Sequence, residues 1–206
     1  DSSKAVYHRP SFSDRDKVVF GGRVTRIFMK PILRALSEMD KRFRELSRIR
    51  YPLSGEVCSE RKFFESINFT TGFGIETLML FSLPMFDNVK IAQVNMGLHI
   101  HKHKGDDALK DMVETITETL NYCLSKLYKT EIDRELLVEL YEQYAEDYLK
   151  TEEDWNRFEQ YRDILLKINS SNITIRERIE KIPEDRVKRF KEKVKKRTEE
   201  LISEIL

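Results

Sequence analysis

A surplus of charge of either sign is missing from this chain. Its 206 residues carry 37 Lys and Arg against 36 Asp and Glu, so no overall basic field argues for nucleic acid. Cysteine is scarce. Cys58 and Cys123 show no metal spacing, and they suggest free thiols in a reducing compartment. No apolar run approaches the ~20 residues that a membrane-spanning helix needs, and no charged-then-apolar leader opens the chain. A soluble, cytoplasmic protein is expected. There is no internal repeat and no low-complexity segment. What is present suffices for one full domain with its own core, at 40% apolar and 35% charged residues. Lys4 to Tyr7 reads as a strand with no structure before it, so a fragment or processed product is expected.

Residues 1–104 mix short strands, loops and helices, whereas 105–206 read as almost wholly helical. Ser11 to Gly22 is expected as a polar loop. Ile27, Ile32, Leu33 and Leu36 have helical spacing, with Pro31 tolerable in the first turns. Tyr51 to Glu56 is a turn-rich loop, and Ser59 to Ser66 a short helix. A helix over Ile75 to Leu83 is stopped by Pro84, and Lys90 to Asn95 is a strand. Gly105-Asp106-Asp107 is a good helix start, with acids in the first turn against the dipole. Apolar stripes follow: Leu109, Met112, Val113, Ile116 and Leu120, then Leu136, Leu137, Leu140 and Tyr144, then Trp155, Phe158, Tyr161 and Leu165. Asn169 to Asn172 is a linker. A last helix from Pro183 turns Val187, Phe190, Val194, Leu201 and Ile205 inward. Its apolar stripe is a candidate homodimer contact, and its basic stretch reads as a solvated face.

Four segments could carry chemistry. His99, His101 and His103 alternate, so an extended chain puts all three imidazoles on one face. Neutral, they are metal ligands; protonated, they bind anions; a plain polar strand end is the other reading. Gly21-Gly-Arg-Val-Thr25 is a glycine turn before a helix. Glycine permits close approach of an anion, the helix start offers N–H groups, Arg23 a forked donor and Thr25 a hydroxyl. Against this stands Thr25 as a plain cap and Arg23 in a surface ion pair. The Lys-Ser/Thr ending of a nucleotide P-loop is lacking. Gly72-Phe-Gly-Ile-Glu76 places an acid at a helix start, where it could bind sugar hydroxyls or balance positive charge at an anomeric carbon, or simply oppose the dipole. Leu53-Ser-Gly-Glu56 adds a loop acid.

In their order, Gly21-Gly-Arg-Val-Thr25 with Pro31-Ile-Leu33, Pro52-Leu-Ser-Gly-Glu56, Gly72-Phe-Gly-Ile-Glu76, and Ala92-Gln-Val-Asn-Met-Gly97 with the histidine run resemble the glucosyl-3-phosphoglycerate synthase family. These are retaining glycosyltransferases of the GT-A type, and the resemblance covers roughly residues 4–120. It implies an α/β fold: the C-terminal, acceptor-side part of a GT-A (Rossmann-like) domain over 1–104, followed by a mainly α-helical extension over 105–206. It implies transfer of glucose from UDP- or GDP-glucose to the 2-hydroxyl of 3-phosphoglycerate with retention, using Mg²⁺ or Mn²⁺. Gly22, Arg23 and Thr25 match positions that hold the acceptor phosphate. Glu76 matches the catalytic acid near the glucose, and His101 the histidine of the metal site. His99 and His103 fall where the family contacts the acceptor carboxylate with Arg and Asn. Leu53, Gly55 and Glu56 match the donor-sugar loop, and Phe73 stands where some members have Tyr. The family's Asp-x-Asp motif and nucleotide-binding half do not occur in this sequence, so the piece alone is expected to be inactive. The competing expectations are a relative with another acceptor or sugar, such as mannosyl or glucosyl transfer to glycerate, and a non-enzymatic metal- or anion-binding module.

Overall fold

The computed structural model describes residues 2–8, 10–12, 18–20, 22–70, 72–86, 89–98, 105–167 and 175–176, and singly 192 and 195. Strand β1, Ser2–His8, lies at the centre of a three-stranded sheet. Its neighbours are β4, Val57–Ser59, antiparallel, and β6, Ile91–Leu98, parallel. The parallel pair is joined through helices, as parallel pairing requires, and this makes the fold α/β. Ala5, Val6 and Tyr7 are all buried. Strands β2, Pro10–Phe12, and β3, Val18–Phe20, form an antiparallel hairpin where a polar loop was expected. The β-branched and aromatic run Val18-Val-Phe20 outweighs the polar residues before it.

Gly22, at φ +67°, turns the chain into a helix, and its C=O accepts from Arg26 N–H at 2.8 Å. A π-helical turn over Thr25–Met29 runs into α1, Lys30–Met39, with Pro31 in its first turn. Thr25, Ile27, Phe28, Ile32, Leu33 and Leu36 are buried along it. A 3₁₀ turn leads into α2, Arg44–Ser47. Helix α3, Arg61–Ser66, starts later than expected because Val57 to Ser59 pair with β1 instead. Strand β5, Phe69–Thr70, pairs with β7, Ile175–Arg176. Helix α4, Ile75–Ser82, gives way to a 3₁₀ turn that contains Pro84.

Three longer helices follow: α5, Asp106–Tyr122; α6, Arg134–Ala145, capped by Asp133 on Leu136 N–H; and α7, Glu152–Lys167. One core contains residues from both parts of the chain, from Val24 and Phe28 to Val113, Leu120, Tyr141 and Leu165. The α5 stripe is inward as its spacing predicts. On α6 the buried face is Leu137, Val138, Tyr141 and Ala145, one position round from the expected stripe, and Leu136 is exposed. On α7 Trp155 is exposed, and the buried position beside it is Asp154. The expected linker at Asn169 to Asn172 and the helix from Pro183 lie outside the described residues. No helix among the described residues is long and apolar enough to cross a membrane.

Asp154 is buried for a reason. Its carboxylate takes Arg26 Nη1 at 2.6 Å and Nη2 at 2.8 Å, and also accepts from Lys150 N–H at 3.0 Å. Arg26 also donates to the Tyr148 carbonyl. Phe28 then sits edge-on to Tyr141 and Tyr161, at 5.9 and 6.0 Å, and the Tyr141 hydroxyl donates to the Ile27 carbonyl at 3.0 Å. Removing one half of such a pair strands the other charge. Asp154→Ala should therefore cost about 3–5 kcal/mol of unfolding free energy in urea titrations, while Asp147→Ala, at an exposed pair with Arg34, should change it by less than about 1 kcal/mol.

Candidate active site

Two glycine-bearing loops and the buried strand β1 meet at one place. Lys4 is 1% exposed, in the middle of β1. Its Nζ donates to the Ser54 carbonyl at 3.2 Å. The Ala5 N–H donates to the Glu56 carbonyl at 3.1 Å, so the loop 51–56 is stitched to β1. A Cβ on Gly55 would lie 3.4 Å from Glu76 Oε1. The carboxylate at the start of α4 thus faces the Ser54–Gly55 segment that also receives the amine. Burial lowers the Lys4 pKa to about 8, and the negative charges of Glu76 and then Glu56 hold it from falling further. The amine is thus a buried positive charge set among the charges of both carboxylates.

The glycines around Glu76 have separate structural causes. Gly72 has φ +69°, and at Gly74 a Cβ would come within 2.1 Å of Thr119 Oγ1 on α5. Phe73 between them is exposed, while Glu76 is half-buried. Leu53 is half-buried against the main core, and Gly55 and Glu56 are exposed. The structure thus assembles Gly55, Glu56 and Glu76 with Lys4, which sequence reading missed. The signal available was a lysine inside the strand Lys4 to Tyr7, where no solvent face exists for it.

The Gly22 turn forms a second group. A Cβ on Gly22 would lie 2.8 Å from the Tyr51 hydroxyl, so the turn packs on the residue that opens the 51–56 loop. Thr25 is buried. Arg23 Nη1 contacts Asp106 Oδ1 at 3.2 Å, the ion-pair arrangement that the sequence left open beside the phosphate cradle. Asp106, at the start of α5, also receives Arg157 Nε from α7 at 2.9 Å. Arginine is thus concentrated where the helix beginning at Gly22 presents its positive end. Gly21, Thr71, His99, His101 and His103 lie outside the described residues. Gln93, in the strand before the histidines, clamps the chain at Arg48 and Arg50: its Oε1 accepts from Arg50 N–H at 2.7 Å and its Nε2 donates to the Arg48 carbonyl at 3.3 Å. Among the described residues, no three His, Cys, Asp or Glu side chains gather as a metal set.

The site therefore sets a glycine turn carrying Arg23 near a loop and a helix start that carry Glu56 and Glu76. The proteins that this chain is similar to are glucosyl-3-phosphoglycerate synthases. That of Mycobacterium tuberculosis strain H37Rv is 36% identical over 124 residues, 57% of this chain and 36% of that protein. That of Petrotoga mobilis is 32% identical over 135 residues, 65% of this chain and 40% of that protein. The chain spans well under half the length of these relatives. No family model matches it. Among solved structures, the M. tuberculosis synthase in complex with Mn²⁺, UDP and phosphoglyceric acid has a TM-score of 0.48 at 30% identity, covering 59% of this chain and 37% of that one. The resemblance read from the motifs is therefore upheld: the chain is similar to part of a glucosyl-3-phosphoglycerate synthase.

Lys4 gives a test of the site's electrostatics. The unfolded amine titrates near 10.5 and the folded one near 8. Below about 8 it is charged in both states and the burial penalty is complete. Between the two values the unfolded chain binds more protons, so stability rises with pH. From pH 7 to 9.5 this contribution should amount to about 2 kcal/mol. Denaturant melts of the parent and Lys4→Met at both pH values should show the gain in the parent relative to the variant; equal pH dependences would mean that Lys4 is not a buried cation.

Proposed function

We propose that this chain is the acceptor-side part of a retaining glycosyltransferase that moves glucose from a nucleotide-glucose to the 2-hydroxyl of 3-phosphoglycerate. The observation that carries the reading is the convergence of Glu76, Glu56 and Lys4 on the Ser54–Gly55 segment, in a chain 36% identical to such a synthase over 124 residues. The Gly22 turn, with Arg23 and Thr25, takes the acceptor phosphate through N–H, guanidinium and hydroxyl donors. His99 and His103 face the acceptor carboxylate. Leu53, Gly55, Glu56 and Phe73 line the donor sugar, where Gly55 leaves the sugar room against the loop.

Retention by front-face attack needs no strong protein nucleophile, because the departing phosphate can accept the proton of the attacking hydroxyl. Glu76 then acts by position. Set near the buried Lys4 amine, its carboxylate stabilises positive charge that develops at the anomeric carbon and orients the sugar hydroxyls. Solved synthases of this type hold Mn²⁺ with UDP, or Mg²⁺ with UDP. A divalent cation supplies charge neutralisation at the leaving diphosphate. Of the residues in this chain, His101 is the one assigned to it. In the proposed enzyme its other ligands come from the Asp-x-Asp motif of the nucleotide-binding half. The enzyme is read as a cytoplasmic homodimer that assembles through its helical part; a monodisperse monomer in solution scattering would remove the dimer.

The test is UDP and GDP release from the corresponding nucleotide-glucose by the full-length protein with Mg²⁺, with and without 3-phosphoglycerate. Release should require the phosphorylated acceptor, with glycerate a poor substitute. Arg23→Ala should abolish the acceptor-dependent release, and Glu76→Gln should lower kcat by roughly 10²–10³-fold. Release indifferent to acceptor would leave a shared fold without the shared reaction.

A further inference from the structure

Helix α7 lies outside every motif used above, yet two of its side chains enter the arginine group at the Gly22 turn. Arg157 Nε and Nη2 reach Asp106 Oδ1 and Oδ2 at 2.9 and 3.5 Å, and Arg23 Nη1 reaches the same Oδ1 at 3.2 Å. The two guanidinium side chains are only 11% and 15% exposed, whereas the Asp106 side chain between them is 57% exposed. The two cations are therefore largely buried, and the carboxylate that joins them is exposed. Burial, followed by the charge of Arg157, lowers the Arg23 pKa, so the two guanidinium groups repel each other across that carboxylate.

The charge beneath is already committed. Asp154 spends both oxygens on Arg26 and one of them on Lys150 N–H. Arg157 Nη1 comes only within 3.8 Å of it. Among the described residues, Arg23 and Arg157 converge on Asp106, and Arg26 and Arg157 on Asp154. One turn along the same face of α7 from Arg157 is Tyr161. Its side chain is 1% exposed, fixed edge-on under Phe28, and its hydroxyl has no hydrogen-bond partner among the described residues. Burial pushes its pKa to about 12, against the pull of Arg157 and then Arg23, the charges that act on it most strongly. A buried hydroxyl beside two cations, without an acceptor, is a donor in want of an anion.

We propose that Arg157 and Tyr161 of α7 complete the acceptor site, binding with Arg23 the phosphate of the phosphorylated acid, while Asp106 holds the two arginines in place when the acceptor is absent. The proposal rests on the reading of Arg23 as an acceptor-phosphate ligand. A phosphomonoester dianion suits the group because its several oxygens can accept from two forked guanidinium groups, a hydroxyl and helix N–H groups together. Asp106 is then displaced rather than protonated, since Arg157 and Arg23 hold its carboxyl below the usual range.

Calorimetric titration of the full-length protein with 3-phosphoglycerate tests this, beside titration with UDP-glucose as a control for folding. Arg157→Gln should weaken 3-phosphoglycerate binding roughly 10- to 100-fold. Tyr161→Phe, which keeps the ring and its packing, should weaken it about 5-fold. UDP-glucose affinity should stay unchanged in both. If Arg23→Gln weakens binding while both α7 variants bind like the parent, the role of α7 is overturned and the acceptor reading stands. If Arg23→Gln also binds like the parent, or the parent does not bind 3-phosphoglycerate, the acceptor reading itself fails and this proposal with it.

Discussion

The two-pronged contact between Arg26 and Asp154 is the constraint from which the rest of the molecule is laid out. It joins positions 128 residues apart in sequence, one in the helix that follows the Gly22 turn and the other in the first turn of α7. A buried pair of this kind adds little net stability, but halving it is costly. What it fixes is register. With Arg26 pinned, Arg23 lies one turn back toward Gly22. With Asp154 pinned, Arg157 lies one turn forward, and the two guanidinium groups come to the same carboxylate at the head of α5. The aromatic stack of Phe28 with Tyr141 and Tyr161 fills the space behind this polar seam.

The sheet performs the same service for the carboxylates. Lys4 is buried in the central strand β1 and turns its amine toward the loop 51–56 and the charge of Glu76 at the head of α4. The loop is held by the Ala5 N–H and by the Gln93 clamp just upstream of it. The Lys4 amine and the Ala5 N–H in this region thus find partners distant in sequence, and the carboxylates owe their setting to strands rather than to their own helices.

Much of this was legible in the chain. The strand at Lys4 to Tyr7, the helix through Ile32 to Leu36, the stop at Pro84 and the inward stripe of α5 follow from periodicity and punctuation. Gly22, Gly72 and Gly74 were legible as special positions, though not their causes: a positive φ at the first two, and the crowding of Thr119 against the third. Pairings across the chain left no local mark. Nothing in Glu152 to Lys167 announces that Asp154 is buried while Trp155 is exposed, because Arg26 decides it. The α6 face turned by one position because Tyr141 reaches the Ile27 carbonyl. The strand Val57 to Ser59 was hidden in what looked like a helix approach, because its partner is the first strand of the chain.

Tyr51 has one more consequence. Its ring stands edge-on to Tyr7 at 5.5 Å, and its hydroxyl fills the space where a side chain at Gly22 would begin. It is also the first residue of the loop that carries Leu53, Gly55 and Glu56. One ring therefore spaces the Gly22 turn from the loop 51–56, with Tyr7 of β1 against it. On the proposed function, this ring fixes the distance between the two half-sites like the jaws of a fixed-gap gauge, and the gap would select ligands by the reach between their anionic end and their reacting hydroxyl.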